Sequence, residues 1–122
     1  MIDVCLRTPA ARVIETLLFA PGQTLHAPHL LDIEIAQVIR RYVARGEIDG
    51  ERGHAVLTDL ADLPVRRYPH WFLLPRVWDL RHNLTAHDAV YVALAEALDA
   101  ELLTRDQRLA AAPGHDARVR LV

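Results

Sequence analysis

The chain has 122 residues, of which 52% are hydrophobic, and a formal net charge of −2. This length and composition predict one globular domain over residues 1–122 and exclude a disordered chain. No apolar run approaches the roughly 20 residues that a membrane helix needs. All fourteen cationic side chains are arginines, but the slightly acidic balance excludes a strongly basic nucleic-acid-binding tail.

The beginning of the chain and its cysteine content predict a compartment. The first residues carry no basic segment ahead of an apolar one, which excludes a secretory signal. Cys5 is the only cysteine, so no internal disulfide can form, and this agrees with a reducing environment. We expect a cytoplasmic protein.

The predicted elements alternate between strands and helices. Residues 1–7 look like a fragment of an apolar element, and Pro9 opens a helix that runs up to Pro21 and Gly22. The remaining elements are a strand at 24–27, a helix at about 28–45 ended by Gly46, a helix from Asp49 to Leu63, a strand at 65–68, a helix at about 71–81, a helix beginning at Thr85, a strand around Leu102, a short helix at 108–112 and a strand at 118–122. This order predicts an α/β fold with a parallel sheet covered on both faces.

Two of these helices carry specific expectations about burial. Residues 89–95 are apolar on every side, so this helix should be buried on every side. The helix at 71–81 should be partly buried through its large apolar side chains, which are Phe72, Leu73, Leu74, Val77, Trp78 and Leu80.

Glu34 is the first candidate site residue. The apolar face of its helix consists of Leu31, Ile35, Val38, Ile39 and Tyr42, and Glu34 lies on that same face. A carboxylate on a buried stripe needs a partner or a function, because an unpaired buried charge is costly. A salt bridge to a nearby arginine and a functional role both remain open. Asp32 lies beside the apolar face and should be solvated.

Asp88 and Asp106 are the other candidates. Thr85 and Asp88 have the spacing of a capping box at the start of the central helix, and Asp106 follows the apolar strand that comes after it. In open α/β sheets, ligands bind outside the carboxyl ends of the strands, so two acids there suggest a metal site. Alternatively, Asp88 interacts with the helix dipole and Asp106 caps the next helix.

Three segments together resemble the acidic motifs of PIN-domain ribonucleases: APHLLDIE at residues 27–34, LTAHDAVYVALAE at 84–96 and LLTRDQRL at 102–109. The likeness is greatest to the VapC toxins of bacterial toxin–antitoxin pairs, and it extends from about residue 3 to residue 122. It implies a three-layer α/β/α PIN-like domain that hydrolyses RNA with Mg²⁺ or Mn²⁺. It also implies a cognate antitoxin as partner and pairing into a homodimer.

The resemblance also implies roles for individual residues. Asp88 would be a direct metal ligand, Asp106 a direct or water-mediated ligand, and Glu34 a ligand or an orienter of water. Thr104 would hold a metal-bound water through its hydroxyl. Three carboxylates brought together repel one another until a cation enters, and hard oxygen ligands are those that Mg²⁺ and Mn²⁺ prefer.

The beginning of the chain departs from this family pattern. The pattern starts with an apolar strand that is central in the sheet and ends in a ligand acid, and a helix follows it. In this chain Asp3 falls where that helix should be, so we expect the first central strand to be absent and Asp3 not to be the missing ligand. We therefore expect Met1 to be an internal or misassigned start. Otherwise a rearranged N-terminus or a partner's strand must fill the gap.

Four other interpretations remain open. The chain could be a catalytically incomplete PIN-like module that binds RNA or an antitoxin without cleavage. Residues 30–63 could form a DNA-binding helix-turn-helix across Gly46. A histidine metal site could form from His26 and His29, or from His82 and His87. The arginine clusters at 40–45 and 66–67 could contact phosphates or simply be solvated.

Overall fold

The computed structural model describes residues 2–6 and 22–122, and its centre is a five-stranded sheet. The strands are β1 (Ile2–Leu6), β2 (Gln23–Pro28), β3 (Val65–Tyr68), β4 (Glu101–Thr104) and β5 (Val119–Leu121). Their order across the sheet is β3-β2-β1-β4-β5, and every neighbouring pair is parallel. The α/β class with a parallel sheet is confirmed.

The described helices lie in the connections between these strands. They are α1 (Leu30–Ala44), α2 (Gly50–Asp62), a 3₁₀ helix (Trp71–Leu73), α3 (Leu74–Asp79), α4 (Ala86–Leu98) and α5 (Gln107–Ala111). The β2-to-β3 connection crosses the sheet in one direction and the β3-to-β4 connection in the other. Because parallel crossovers are right-handed, these two connections lie on opposite faces, which gives the expected three layers. The helix predicted to start at Pro9 lies outside the described residues.

The central strand is present, and the expectation that it would be missing is wrong. β1 pairs with β2 on one side and with β4 on the other, with Val4 level with both Leu25 and Glu101. A segment placed there satisfies backbone groups that both neighbouring strands would otherwise leave unpaired. A stretch of five mostly apolar residues is too short for its periodicity to separate strand from helix. Asp3 pairs with Thr24, away from the carboxyl end of the strand.

The central helix α4 is the core of the domain. All seven residues from Ala89 to Ala95 are buried, as predicted, and Tyr91 is the largest fully buried side chain among the described residues. The Thr85 hydroxyl accepts a hydrogen bond from the backbone N–H of Asp88 and caps the first turn. Asp99 ends the helix in a left-handed conformation with φ of 51°, which aspartate tolerates better than most residues.

The segment at 71–81 differs from its prediction in both shape and burial. A 3₁₀ turn precedes α3, and a proline, Pro75, occupies the first turn of α3, where its missing N–H has no cost. Only Leu73, Val77 and Leu80 are buried, at the i, i+4, i+7 spacing of one helix face. The predicted partial burial fails for three side chains, which are exposed: Phe72, Leu74 and Trp78.

One ion pair joins α3 to α4. Nε and Nη2 of Arg76 donate to the two carboxylate oxygens of Glu96 at 2.7 and 2.8 Å. The hydrogen bond from Arg76 holds the pKa of Glu96 below its usual range, although burial opposes this shift. This pair fixes α3 against the buried helix. In the described part of the chain, no helix is long and apolar enough to cross a membrane.

Candidate functional site

The topology of the sheet points to one edge as the place for a site. β2 and β3 follow β1 on one side of the sheet, and β4 and β5 lie on its other side. The order of the strands therefore reverses its direction beside β1. Ligands in such sheets bind outside the carboxyl ends of the strands at this switch point. Helix α1 begins just after β2, α5 begins just after β4, and α4 runs back into β4. Glu34, Asp88 and Asp106 therefore all lie at this edge.

Glu34 is held by a residue of the central helix. It is half-buried on the second turn of α1, and the hydroxyl of Tyr91 donates a hydrogen bond to its Oε1. Tyr91 lies three residues after Asp88, on the next turn of α4. A tyrosine hydroxyl is thus one partner of Glu34, and the salt bridge to an arginine stays a prediction. The contact with Tyr91 links the helix of Glu34 to the helix of Asp88.

The end of β3 anchors the beginning of α1. The backbone N–H of His29 donates to the carbonyl of Tyr68 at 2.8 Å, and that of Leu30 donates to Nε2 of His70 at 2.9 Å. His70 thereby caps the helix in place of an N-cap side chain. Burial, followed by the nearby charge of His29, lowers the pKa of His70, which favours the neutral ring that this bond requires.

Asp32 also contributes to this anchor: its side chain is 35% exposed, so the predicted contact with solvent is present in part, but it also forms an ion pair. Its Oδ2 accepts from Nε of Arg67 at 2.8 Å, and Arg67 also donates to the carbonyls of Leu60 and Val65. The guanidinium of Arg67 therefore makes hydrogen bonds within the fold and is not part of a free phosphate-binding patch. Glu34 projects from a helix whose first turn is fixed at several points.

Asp106 caps α5, as the structural alternative proposed. Its Oδ1 accepts from the backbone N–H groups of Arg108 at 2.9 Å and Leu109 at 3.4 Å. The hydroxyl of Thr104, which is buried, accepts from the backbone N–H of Asp106 at 3.0 Å. The cap uses Oδ1, so Oδ2 of this exposed residue is not part of it. Thr104 orients the turn that carries Asp106.

The donor set fits a small hard cation, although the three acids do not form a finished cage. Among the side chains that the structure describes, those of residues 22–122, no three His, Cys, Asp or Glu already converge as a metal-ligand group. Mg²⁺, however, keeps several waters and is commonly bound through only one or two carboxylates and the phosphates of its substrate. The carboxylates at this edge meet that requirement.

The histidine site at His26 and His29 and the helix-turn-helix alternative are not supported, whereas the histidine site at His82 and His87 stays a hypothesis. Both ring nitrogens of His26 are engaged, Nδ1 with the hydroxyl of Tyr68 at 2.7 Å and Nε2 with that of Thr24 at 2.9 Å. His26 therefore has no lone pair pointing towards a shared ion with His29. Residues 30–63 form the crossover from β2 to β3 and are part of the α/β fold.

Sequence reasoning missed Tyr91 as a residue of the site. The tyrosine lies within an apolar run and looks like core. Its hydroxyl was the available signal, because a buried tyrosine hydroxyl usually finds a hydrogen-bond partner. The missed contribution of His70 had no comparable signal, since it acts through a backbone N–H on another element.

Comparison with known proteins shows which family the chain belongs to. The sequence profile of the PIN domain matches residues 2–114. The chain is 52% identical over 98 residues to Ribonuclease VapC1 of Mycobacterium tuberculosis, covering 80% of this chain and 74% of that protein. It is 40% identical over 121 residues to Ribonuclease VapC12 of the same organism, covering 99% and 92%.

Solved structures agree on the fold. PAE2754 from Pyrobaculum aerophilum superposes with a TM-score of 0.72 at 18% identity, covering 90% of this chain and 84% of that one. VapBC2 from Rickettsia felis, crystallised with a DNA fragment from its promoter, gives 0.69 at 14% identity and covers 98% of both chains. From the profile and the close relatives, the chain belongs to the PIN-domain family and, within it, to the VapC ribonucleases.

Proposed function

We propose that this chain is the toxin of a toxin–antitoxin pair and hydrolyses RNA phosphodiester bonds with Mg²⁺ or Mn²⁺. The observation that carries the proposal is the hydrogen bond from Tyr91 to Glu34, which couples Glu34 to the helix of Asp88 at the switch point. The names of its relatives as VapC ribonucleases support the same activity.

Each site residue has a defined task in this proposal. Asp88 is a direct ligand, Asp106 binds directly or through a water by Oδ2, and Glu34 is a ligand or orients the attacking water. Thr104 fixes the turn of Asp106 and holds a metal-bound water through its hydroxyl. When bound, a divalent cation makes its water more acidic and stabilises the charge that develops on the phosphodiester.

The proposed partners follow from the family. The structural neighbour from Rickettsia felis is a VapBC complex, which supports a cognate antitoxin as partner for this chain. We also propose that the chain forms a homodimer and acts on RNA in the cytoplasm.

Replacing Asp88 by Asn tests the metal site. We expect loss of at least about 100-fold in Mn²⁺-dependent cleavage of total bacterial RNA, because removing a group that stabilises transition-state charge typically costs 10²–10³. The melting temperature should be unchanged or higher, since repulsion between acids is relieved. Asp59→Asn is the matched control, because Asp59 is an exposed acid on α2. Cleavage that survives Asp88→Asn would disprove the assignment.

Glu34→Gln separates the functional role of Glu34 from a structural one. The amide oxygen of Gln can still accept from Tyr91, so we expect lower cleavage with little change in the free energy of unfolding. A loss of about 3 kcal/mol or more would identify Glu34 as part of a structural ion pair instead.

A second candidate is a module that binds RNA or an antitoxin without cleavage. The described residues favour it in one respect, because they contain no converged group of three metal-binding side chains. Incubation of the native chain with RNA, with Mn²⁺ and with EDTA, decides between the two. RNA binding without any Mn²⁺-dependent product would favour the binding module.

A further inference from the structure

Tyr91 occupies an unusual position in the core. Its side chain is fully buried in α4, yet its hydroxyl reaches a carboxylate on another helix, at the edge of the sheet where the site lies. Apolar neighbours on the same helix surround its backbone position, from Ala89 to Ala95. A buried hydroxyl needs a hydrogen-bond partner, but an ordinary core position would be filled as well by phenylalanine.

The hydrogen bond restricts the freedom of Glu34. A glutamate side chain has three rotatable bonds, and the hydrogen bonds from Arg67 and His70 fix the first turn of α1, one turn before Glu34. The Tyr91 hydroxyl engages Oε1, which gives the whole carboxylate a defined direction. Because Tyr91 and Asp88 lie one turn apart on the same helix, this direction is set relative to Asp88.

We propose that Tyr91 is a positioning residue for the metal site: its hydroxyl orients the Glu34 carboxylate for the divalent cation or its water. The inference rests on the proposed function, because it assumes that Glu34 takes part in cation binding. Partners that orient a ligand are commonly worth 10–100-fold in metal affinity.

Mn²⁺ alone is the probe for the first experiment. Free Mn²⁺ is counted by electron paramagnetic resonance while the full 122-residue chain and its Tyr91→Phe variant are titrated. Phenylalanine fills the same space in the core but donates no hydrogen bond. We expect the variant to bind Mn²⁺ about 10-fold more weakly while it stays folded.

Tyr68→Phe is the matched control. The Tyr68 hydroxyl also joins two elements of the fold, because it makes a hydrogen bond from β3 to Nδ1 of His26 on β2 at 2.7 Å. This bond does not involve an acid of the site. Removing it should leave the Mn²⁺ affinity within about 2-fold of the native chain, because interactions that do not touch the ligands add little to binding. An equal loss in both variants would mean that any hydrogen-bonded tyrosine hydroxyl matters, and would contradict the proposal.

A double-mutant cycle with Glu34→Ala shows whether Tyr91 acts through Glu34. If it does, Tyr91→Phe costs about 10-fold in the native background and less than about 2-fold when Glu34 is alanine, because the acceptor is already gone. A general loosening of the core would instead cost the same factor in both backgrounds, and would overturn the positioning role.

The outcomes separate the two proposals. Native Mn²⁺ binding with an unchanged Tyr91→Phe variant overturns the role of Tyr91 and leaves the metal site in place. If the native chain binds no Mn²⁺ and cleaves no RNA, the proposed function is wrong and the positioning role falls with it.

Discussion

At the scale of single residues, Asp106 combines a structural and a proposed chemical task in one carboxylate. Oδ1 caps α5, and the buried hydroxyl of Thr104 fixes the turn that precedes it. The structural and functional interpretations of this aspartate therefore do not exclude each other. An aspartate at the beginning of a helix can be held in position by the cap through one oxygen and still offer its second oxygen to a ligand.

Two substitutions at Asp106 separate these tasks. Asn caps helices about as well as Asp, so Asp106→Asn should keep the stability of the native chain while it loses Mn²⁺-dependent cleavage. Asp106→Ala should lose cleavage and, in addition, about 1 kcal/mol of stability, because the cap is gone. Urea unfolding and RNA cleavage measure the two effects. Equal stability of the Asn and Ala variants would contradict the capping role.

His70 predicts a dependence of stability on pH. Its pKa is lowered in the folded chain by burial and by His29, and its Nε2 accepts from the N–H of Leu30. The unfolded chain therefore binds more protons near the usual histidine pKa of about 6.5, and the contribution of His70 to stability is present above that pH. It is lost as the pH falls through the lowered value in the folded state.

Unfolding in urea at pH 8, 7, 6 and 5 measures this dependence. His70→Gln should reduce the change in the free energy of unfolding between pH 7 and 5, because a Gln oxygen accepts the same hydrogen bond without titrating. Keeping the pH at or above about 5 leaves out most carboxylate titration, including the Arg76–Glu96 pair. If the free energy of unfolding depends on pH identically in both proteins, His70 does not cause the loss of stability at low pH.

At the scale of elements, the close approach of α1 and α2 depends on Gly53. A Cβ at this position would lie 3.0 Å from Cγ2 of Val43 and 3.1 Å from Cγ2 of Ile39. Gly53→Val should destabilise the chain by about 1–3 kcal/mol, since it overpacks this contact. Gly50→Ala is the control, because a Cβ at Gly50 meets nothing within 4 Å. Thermal melting compares them, and equal melting temperatures would refute the packing argument.

The elements also show what the sequence could predict. Helix α4 was predicted because residues 89–95 are apolar on every side and Thr85 supplies a cap. The division of residues 71–81 into a 3₁₀ turn and α3 was not predicted, because the apolar pattern alone does not reveal that Pro75 begins a new helical turn. The role of Tyr91 was missed for a related reason. The spacing of apolar residues shows which residues are buried, but it does not show which buried polar atom makes a hydrogen bond to another element.

At the scale of the whole molecule, strand pairing determines what the early residues do. The acidic motifs at 27–34, 84–96 and 102–109 predicted the edge of the sheet where their residues lie, because their elements border the same switch point. Residues 2–6 were misjudged, since the motif pattern was used to assign a helix there. Without β1, the facing sides of β2 and β4 would have unpaired backbone groups. Pairing these groups favours a strand at residues 2–6, and this outweighs the weak local preference of the sequence.

The central position of β1 can be tested by breaking its ladders. A proline within a central strand removes a backbone donor and is strongly disfavoured, so Val4→Pro should destabilise the chain by about 3 kcal/mol or more. The matched control lies on the edge strand β5. The N–H of Val122 donates to the carbonyl of Thr104, so by alternation that of Leu121 faces away from β4.

Leu121→Pro should therefore change stability far less than Val4→Pro, even though both place a proline in a strand of the same sheet. Guanidinium unfolding gives the free energy of each variant, and hydrogen exchange shows which amides lose protection. With β1 at the centre, Val4→Pro should expose amides on both β2 and β4, because each pairs with β1. If Val4→Pro unfolds at the same denaturant concentration as the native chain, β1 does not join the two halves of the sheet.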